Sequence, residues 1–314
     1  MIAGMPQHVL GDRNELAVAF VMAVPICVYL LGEYGKRSKI LHLGLLGVVA
    51  LLVIGVIGTQ SRGGFIALLA LAGYLFLKSD RKGLLGTLAI VLIAVLSQLV
   101  SSEWMERINS INDASEDASF MGRVVAWKMS FILAAQNPFF GGGFKAMENF
   151  PVWTELATHF HSYSWFYTGD TLPIQNRARA AHSIYFQVLG DQGFVGLALY
   201  LGCLIGAFRK AGKIAKTVKL HNGPAWLHSL AAMLQLSIFS FALGGAALSF
   251  AYFDLTFSLF GLVIVIEKRF LPKYVAGKTN SRVQPGLPPH YPQAAKPADS
   301  LKVVAQPLAR PGRV

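Results

Sequence analysis

The amino-acid sequence predicts an all-α integral membrane protein, a polytopic helical bundle of about seven spans that carries one large loop outside the membrane. Three observations lead there. Hydrophobic residues make up 54% of the chain and charged residues 14%, with a mean hydropathy of +0.49, whereas soluble domains run near a quarter charged. The apolar residues fall in runs close to the ~20 that a helix needs to cross ~30 Å of hydrocarbon. The basic residues collect between alternate runs, the pattern of the positive-inside rule.

The runs are Glu15–Leu31, Ile40–Gly58, Gly63–Leu77, Leu84–Val100, Ser183–Phe208, Trp226–Leu248 and Tyr252–Ile266. The third and the last are short for a span, and tilt or their flanks make up the length. Pro25 predicts a kink in the first, tolerated where a neighbouring helix satisfies the loosened carbonyl. Gly44, Gly47, Gly55, Gly58, Gly244 and Gly245 predict close helix packing. Lys36, Arg37 and Lys39 follow the first run, and Lys78, Arg81 and Lys82 the third. Arg209, Lys210, Lys213, Lys216 and Lys219 follow the fifth, and Lys268, Arg269 and Lys273 the seventh. These loops are expected in the cytoplasm, which puts Thr59–Arg62, Ser101–Ala181 and Ser249–Ala251 on the opposite side. Residues 1–14 then start outside without forming a signal peptide; either the first span inserts with its N-terminus out or an odd number of upstream spans is missing, and the second is the expectation. The chain divides into residues 1–100 with the first four spans, 101–181 as the loop and 182–270 with the remaining spans. Residues 271–314 hold eight of the 14 prolines and read as a flexible, basic cytoplasmic tail.

Composition also excludes. Cys27 and Cys203 both lie in apolar runs, so neither a disulfide framework nor a thiolate metal site is indicated. The formal charge of +12 sits in loops beside spans and in the tail. No nucleic-acid-binding signature accompanies it, and nucleic acid is not an expected partner.

The loop from Ser101 to Ala181 is the least apolar long stretch before the tail. It is rich in aromatics, including Phe139, Phe140, Phe150, Trp153, Trp165 and Tyr167, which argues for a folded lid rather than disorder. Within and beside it lie the groups able to do chemistry. Thr59-Gln60-Ser61-Arg62-Gly63-Gly64 opens the third run. Ser61 is a candidate N-cap, and the helix start, the two glycines and a guanidinium together make an anion site. A snorkelling interfacial arginine explains the same spacing equally well. Met121-Gly122-Arg123 opens a helix over Val124–Gln136, with Val124, Trp127, Phe131, Ala134 and Ala135 on one apolar face. Arg123 at its start opposes the helix dipole, so a bound anion or carboxylate is expected beside it. Asn137-Pro138 ends the helix, and Gly141-Gly142-Gly143-Phe144 forms a tight turn without the features of a P-loop.

Arg177-Ala-Arg179-Ala-Ala-His182 leads into the fifth run. A neutral His182 imidazole can take a proton from an attacking hydroxyl, or simply hydrogen-bond at a helix start. His159 and His161 lack a third ligand at convincing spacing. Asp191, in Gly-Asp-Gln-Gly, is an acidic group at membrane depth and a functional candidate for that reason, unless it only pairs with an arginine.

In their order, Ser61-Arg62-Gly63-Gly64, Gly122-Arg123 with Trp127, Asn137-Pro138, Gly141-Gly142-Gly143-Phe144, His182-Ser183-Ile184-Tyr185 and Gly190-Asp191-Gln192-Gly193 with Gly196 resemble the O-antigen ligase/polymerase superfamily. Each motif alone is weak; their order and spacing over Gln60–Gly196 carry the likeness. Ala181–Leu197 and Gly11-Asp12-Arg13-Asn14-Glu15-Leu16 look most like the O-glycosylation ligases that accompany exosortase systems. Two departures stand out: Ser183 follows the histidine where Asn is common, and Asp191 stands where Glu is common.

The resemblance implies a glycosyltransferase of the C type in the bacterial inner membrane, with its site facing the periplasm and no metal or other cofactor. A polyprenyl-diphosphate-linked glycan would be the donor; a protein, lipid or glycan hydroxyl would be the acceptor. Arg62, Arg123 and His182 carry over from the family as the catalytic residues. Arg177 and Arg179 have no firm counterpart in it; with Ser61, Gly63, Gly64 and Asp191 they are substrate-binding candidates from the reading of this sequence alone. A polysaccharide polymerase of exopolysaccharide or O-antigen repeats shares that fold and donor. A transporter or flippase calls for ionisable groups deep in several spans, and only Glu15, Asp191 and Asp254 come near that. An exosortase-like protease needs a cysteine nucleophile at the outer face, which neither cysteine supplies.

Overall fold

The computed structural model describes residues 2, 10–78, 83, 118–164 and 178–275, and those residues form helices and turns with no strand among them. The expected fourth span, residues 101–117, Arg177 and nearly all of the tail lie outside the described residues. In order come α1 (Arg13–Tyr34), α2 (Lys39–Gly58), α3 (Arg62–Lys78), α4 (Ala118–Gln136), α5 (Phe150–Thr158), α6 (Ile184–Leu220), α7 (Ala225–Gly244), α8 (Asp254–Arg269) and the short α9 (Leu271–Val275). Four segments are long and apolar enough to cross a membrane: Arg13–Arg37, Lys39–Gly58, Ile184–Leu220 and Ala225–Ala247. The third expected span is a shorter apolar helix, Arg62–Phe76. The seventh corresponds to α8, whose 16 residues fall short of the ~20 a perpendicular crossing takes.

α1 packs on α2, α3 and α7, and α6 packs on α4, α7 and α8. One apolar cluster joins α1, α2, α3 and α7 through Ala17, Val21, Val56, Ala67, Leu71 and Leu236. A second joins α1 to α6, α7 and α8 through Val18, Met22, Val188, Leu234, Phe241 and Val263. Glycine sets some of these distances. A Cβ at Gly55 would strike Phe20, at Gly244 Val18 and at Gly245 Ile184. Gly44 and Gly47 depart from the expectation, since they face open space on a helix whose Ile40, Leu43 and Leu51 are also exposed. α1 runs through Pro25 without ending. In the turn that the proline loosens, the Ser237 hydroxyl donates to the Met22 carbonyl at 2.8 Å, the neighbouring-helix remedy such a residue calls for.

α6 corrects two expectations. It continues to Leu220, so Arg209 to Lys219 lie on a helix and not in a loop. Hydropathy falls there, but Lys and Arg are good helix formers, and Ala211, Ile214, Ala215 and Val218 keep a buried face at helical spacing. Lys210 pairs with Glu267 of α8 on the exposed side. The helix also breaks at Gly193, where φ is 69° and ψ −169°.

α4 and α5 build a separate core from Ala126, Met129, Ile132, Leu133, Met147, Trp153, Leu156 and Phe160. The expected apolar face of α4 is real but faces α6: Trp127 stacks on Phe186 with centroids 5.2 Å apart, and Phe131 meets Phe194 edge-on. The opposite face is buried as well, including Lys128 at 0% exposure. Its ammonium lies 4.2 Å from the Phe160 ring centroid, and burial lowers its pKa.

Candidate functional site

The start of α3 is organised locally. The Thr59 hydroxyl donates to the Val56 carbonyl at 2.6 Å and accepts from the Ser61 N–H at 3.3 Å. Ser61 is the expected cap, its hydroxyl accepting from the Gly64 N–H at 3.2 Å. That donor is therefore engaged rather than offered to a ligand. The glycines also serve packing: a Cβ at Gly64 would come within 2.5 Å of the Ala17 Cβ, and Gly63 faces the Gly244 carbonyl and Ala247. Arg62 stands exposed at the first helical position.

The same end of the bundle holds His182. Gly245 packs on Ile184, and two residues before Ile184 the His182 N–H donates to the Ser249 hydroxyl at 2.8 Å. His182 has φ of 48°, a left-handed conformation uncommon outside glycine, so the chain turns sharply just before α6. Its side chain keeps an exposed face. Crowding by protein atoms first, then the charge of Arg123, lower its pKa from the ordinary 6.5; Arg179 acts in the same sense, while Asp12 and Glu148 oppose it. Residues separated by up to 170 positions are thereby neighbours in one electrostatic cluster. Arg179 also lies against α4, since a Cβ at Gly122 would collide with its guanidinium. Gly122 is thus the space that admits Arg179 beside Arg123.

The Gly-rich turn after α4 pairs with the break in α6. Gly142 and Gly143 donate to the carbonyls of Gly190 and Asp191, both at 2.9 Å, and Phe194 donates to the Pro138 carbonyl at 2.9 Å. The break leaves helical backbone groups without their own partners, and the turn supplies substitutes. Gly141, at φ 63°, leaves no room for a side chain: a Cβ would lie 2.5 Å from the Gly190 oxygen and 2.6 Å from two backbone nitrogens. Asp191 fastens the junction. One carboxylate oxygen accepts from the Lys145 N–H at 3.1 Å, the other from the Tyr252 hydroxyl at 3.0 Å. These partners, and not an arginine, hold it. A cleft opens beside this latch, lined by Lys145, Glu148, Gln187, Asp191 and Ser249 among others.

The structure thus brings Arg123, Arg179 and His182 together and sets Asp191 on the adjoining cleft. Ser61, Arg62, Gly63 and Gly64 lie at the same bundle end through the contacts of Gly63 with Gly244 and Ala247. Lys145, Glu148, Gln187 and Ser249 are not singled out by the sequence, and Asp12 stands there only as part of a motif and not as a site residue. Asp12 has a local signal, as it caps α1 by accepting from the Asn14 N–H at 2.6 Å; the others have none short of the fold. Among the described residues no three His, Cys, Asp or Glu side chains are grouped to hold a metal, His159 and His161 included.

Residues 47–201 match the O-antigen ligase family model. No curated protein matches the chain. The matched stretch runs from α2 into α6 and contains Arg62, Arg123, Arg179, His182 and Asp191. The match supports placement in the O-antigen ligase superfamily and a membrane setting. It points to a glycan ligase or polymerase with a lipid-linked glycan as substrate.

Proposed function

We propose that this chain is a membrane glycosyltransferase of the ligase kind, transferring a glycan from a polyprenyl-diphosphate carrier to an acceptor hydroxyl at the periplasmic face of the bacterial inner membrane. The observation that carries the proposal is the meeting of Arg123, Arg179 and His182 beside a small cleft within the stretch that matches the family. The proposed topology keeps the seven spans and the large loop, with α4 and α5 as the folded part of the lid. Within the superfamily, the exosortase-associated O-glycosylation ligases are the proposed relatives.

In the proposed mechanism the donor diphosphate lies against Arg62, Arg123 and Arg179. A neutral His182 accepts the acceptor's hydroxyl proton as that oxygen attacks the anomeric carbon. The new C–O bond forms on the face opposite the breaking one, which inverts the centre, and the electron pair leaves with the polyprenyl diphosphate. The arginines stabilise the charge that develops on the leaving group, the preorganised electrostatics that usually contributes most. The low pKa of His182 keeps the imidazole unprotonated at neutral pH, as a base requires. In this proposal the loop outside the membrane excludes water, which would otherwise hydrolyse the donor.

The test is transfer in proteoliposomes containing the full chain, a purified polyprenyl-diphosphate glycan and a panel of protein, lipid and glycan acceptors, with and without chelator. Chelator-insensitive transfer to a non-glycan acceptor is expected. Extension of the donor glycan alone would identify a polymerase instead. Full activity of correctly inserted His182→Ala protein would refute the assigned chemistry.

A further inference from the structure

We propose that the Phe139–Phe140 turn is a membrane-interface anchor, seating the α4–α5 layer in the headgroup–acyl boundary of one leaflet. The turn is apolar and open: Phe139 is 68% exposed, Phe140 85% and Phe144 71%, and residues 137–144 carry no charge. Three exposed phenylalanines within six residues make a patch of the kind that marks an interaction surface.

Its level relative to a bilayer follows from α6. Between its break and Arg209 the exposed large apolar side chains of that helix, Phe194, Val195, Leu199 and Ile205, fall within about 140° of arc at 3.6 residues per turn. Such a stripe on a membrane-crossing helix faces lipid. Arg209 and Lys210, both exposed, mark one boundary of the hydrocarbon. Counting back about 20 residues for ~30 Å reaches roughly residue 189 at the other boundary. The backbone bonds of the turn go to Gly190, Asp191 and Phe194, which lie at that second boundary. Phe139 and Phe140 therefore continue the lipid-facing surface of α6 where acyl chains give way to headgroups, while the charged Lys145 and Glu148 line the cleft. An apolar tip bearing charge a few residues further on is the distribution of interfacial segments. The inference depends on the membrane placement of α6 and not on the transfer chemistry.

Site-directed spin labelling tests it. The full chain carrying Cys27→Ala and Cys203→Ala receives a single cysteine as Phe140→Cys, with Leu199→Cys as lipid reference and Glu155→Cys as water reference. Each protein is nitroxide-labelled in phosphatidylethanolamine–phosphatidylglycerol vesicles. Collision rates are then measured with oxygen, which partitions into acyl chains, and with a water-soluble nickel chelate. The oxygen-to-nickel ratio at 140 is expected to exceed that at 155 several-fold and to fall between the two references. A label at 140 as open to nickel as at 155 overturns the proposal, as does shielding from both, which would mark a protein partner. Nickel access at 199 overturns it at its premise, while leaving the transfer assay untouched. Should Phe140→Cys protein fail to insert, Phe139→Cys carries the same comparison.

Discussion

Two glycine-bearing junctions at one end of the bundle use the same residue types for different ends. At Thr59–Gly64 the hydrogen bonds are local, Thr59 and Ser61 capping α3, and only the packing is distant, with Ala17 filling the space at Gly64. At the second junction the bonds that fasten it are long-range. Its bonds tie Gly142, Gly143 and Lys145 to α6, and Tyr252 to Asp191. The first junction holds one arginine at a helix start; the second assembles two arginines, a histidine and a cleft. Glycine in sequence permits a close approach, and only the fold says whether a methyl group, a backbone, a guanidinium or nothing takes the space.

The comparison breaks most readily on turnover. His182→Ala and Arg123→Ala are each expected to lower transfer about 10²–10³-fold, the range for losing one preorganised donor. Arg123→Lys should stay impaired because Lys lacks the planar fork. Wild-type rates in either alanine variant, measured in proteoliposomes, would remove the second junction from the chemistry.

Gly141→Ala should come next. Its Cβ meets backbone that cannot step aside in a left-handed conformation that itself disfavours a side chain. A loss of about 2–4 kcal/mol is expected from the strain and the backbone bonds it disturbs. Thermal unfolding in nanodiscs measures it, and an unchanged midpoint would deny the turn its structural part.

Gly64→Ala should be milder, about 1–3 kcal/mol of overpacking, because methyl meets methyl. Adding Ala17→Gly should restore most of it. A double variant with stability restored and activity still lost would make Gly64 a ligand contact after all and erase the contrast between the junctions.

The smallest effect concerns pH. The His182 pKa is held below 6.5 by burial first and Arg123 next, so activity should fall only as pH drops through that lowered value. Arg179→Gln removes a charge that depresses it and should shift the acidic limb upward; Asp12→Asn removes an opposing charge and should shift it downward. The folded state binds fewer protons than the unfolded chain between the two pKa values. This contribution to stability is accordingly present above 6.5 and lost on acidification. Rate profiles of the two variants that move together, or not at all, would show that the electrostatic cluster does not act on the histidine.

Much of this was legible beforehand. The cores of α1, α2, α3, α6 and α7 follow from hydropathy alone, because a helix crossing hydrocarbon must be apolar for its full depth. The cap at Ser61 was legible for a similar reason, since capping involves residues only three apart. The overrun of α6 to Leu220 was obscured because hydropathy measures suitability for lipid and not helicity. Lys145, Glu148 and Ser249 gave no signal, as a charged or hydroxyl residue in a loop looks the same whether it lines a cleft or faces water.

By itself, then, the sequence determined the membrane class, the apolar helices and the motifs that suggest anion chemistry, all set by composition and short-range geometry. The tertiary structure alone decided that Arg179 lies on Gly122, that Asp191 latches Lys145 and Tyr252, and that His182 shares a cluster with Arg123 and Asp12. Those contacts join residues tens to hundreds of positions apart. Their partners are chosen by how helices pack in three dimensions, and no local pattern of side chains encodes that choice.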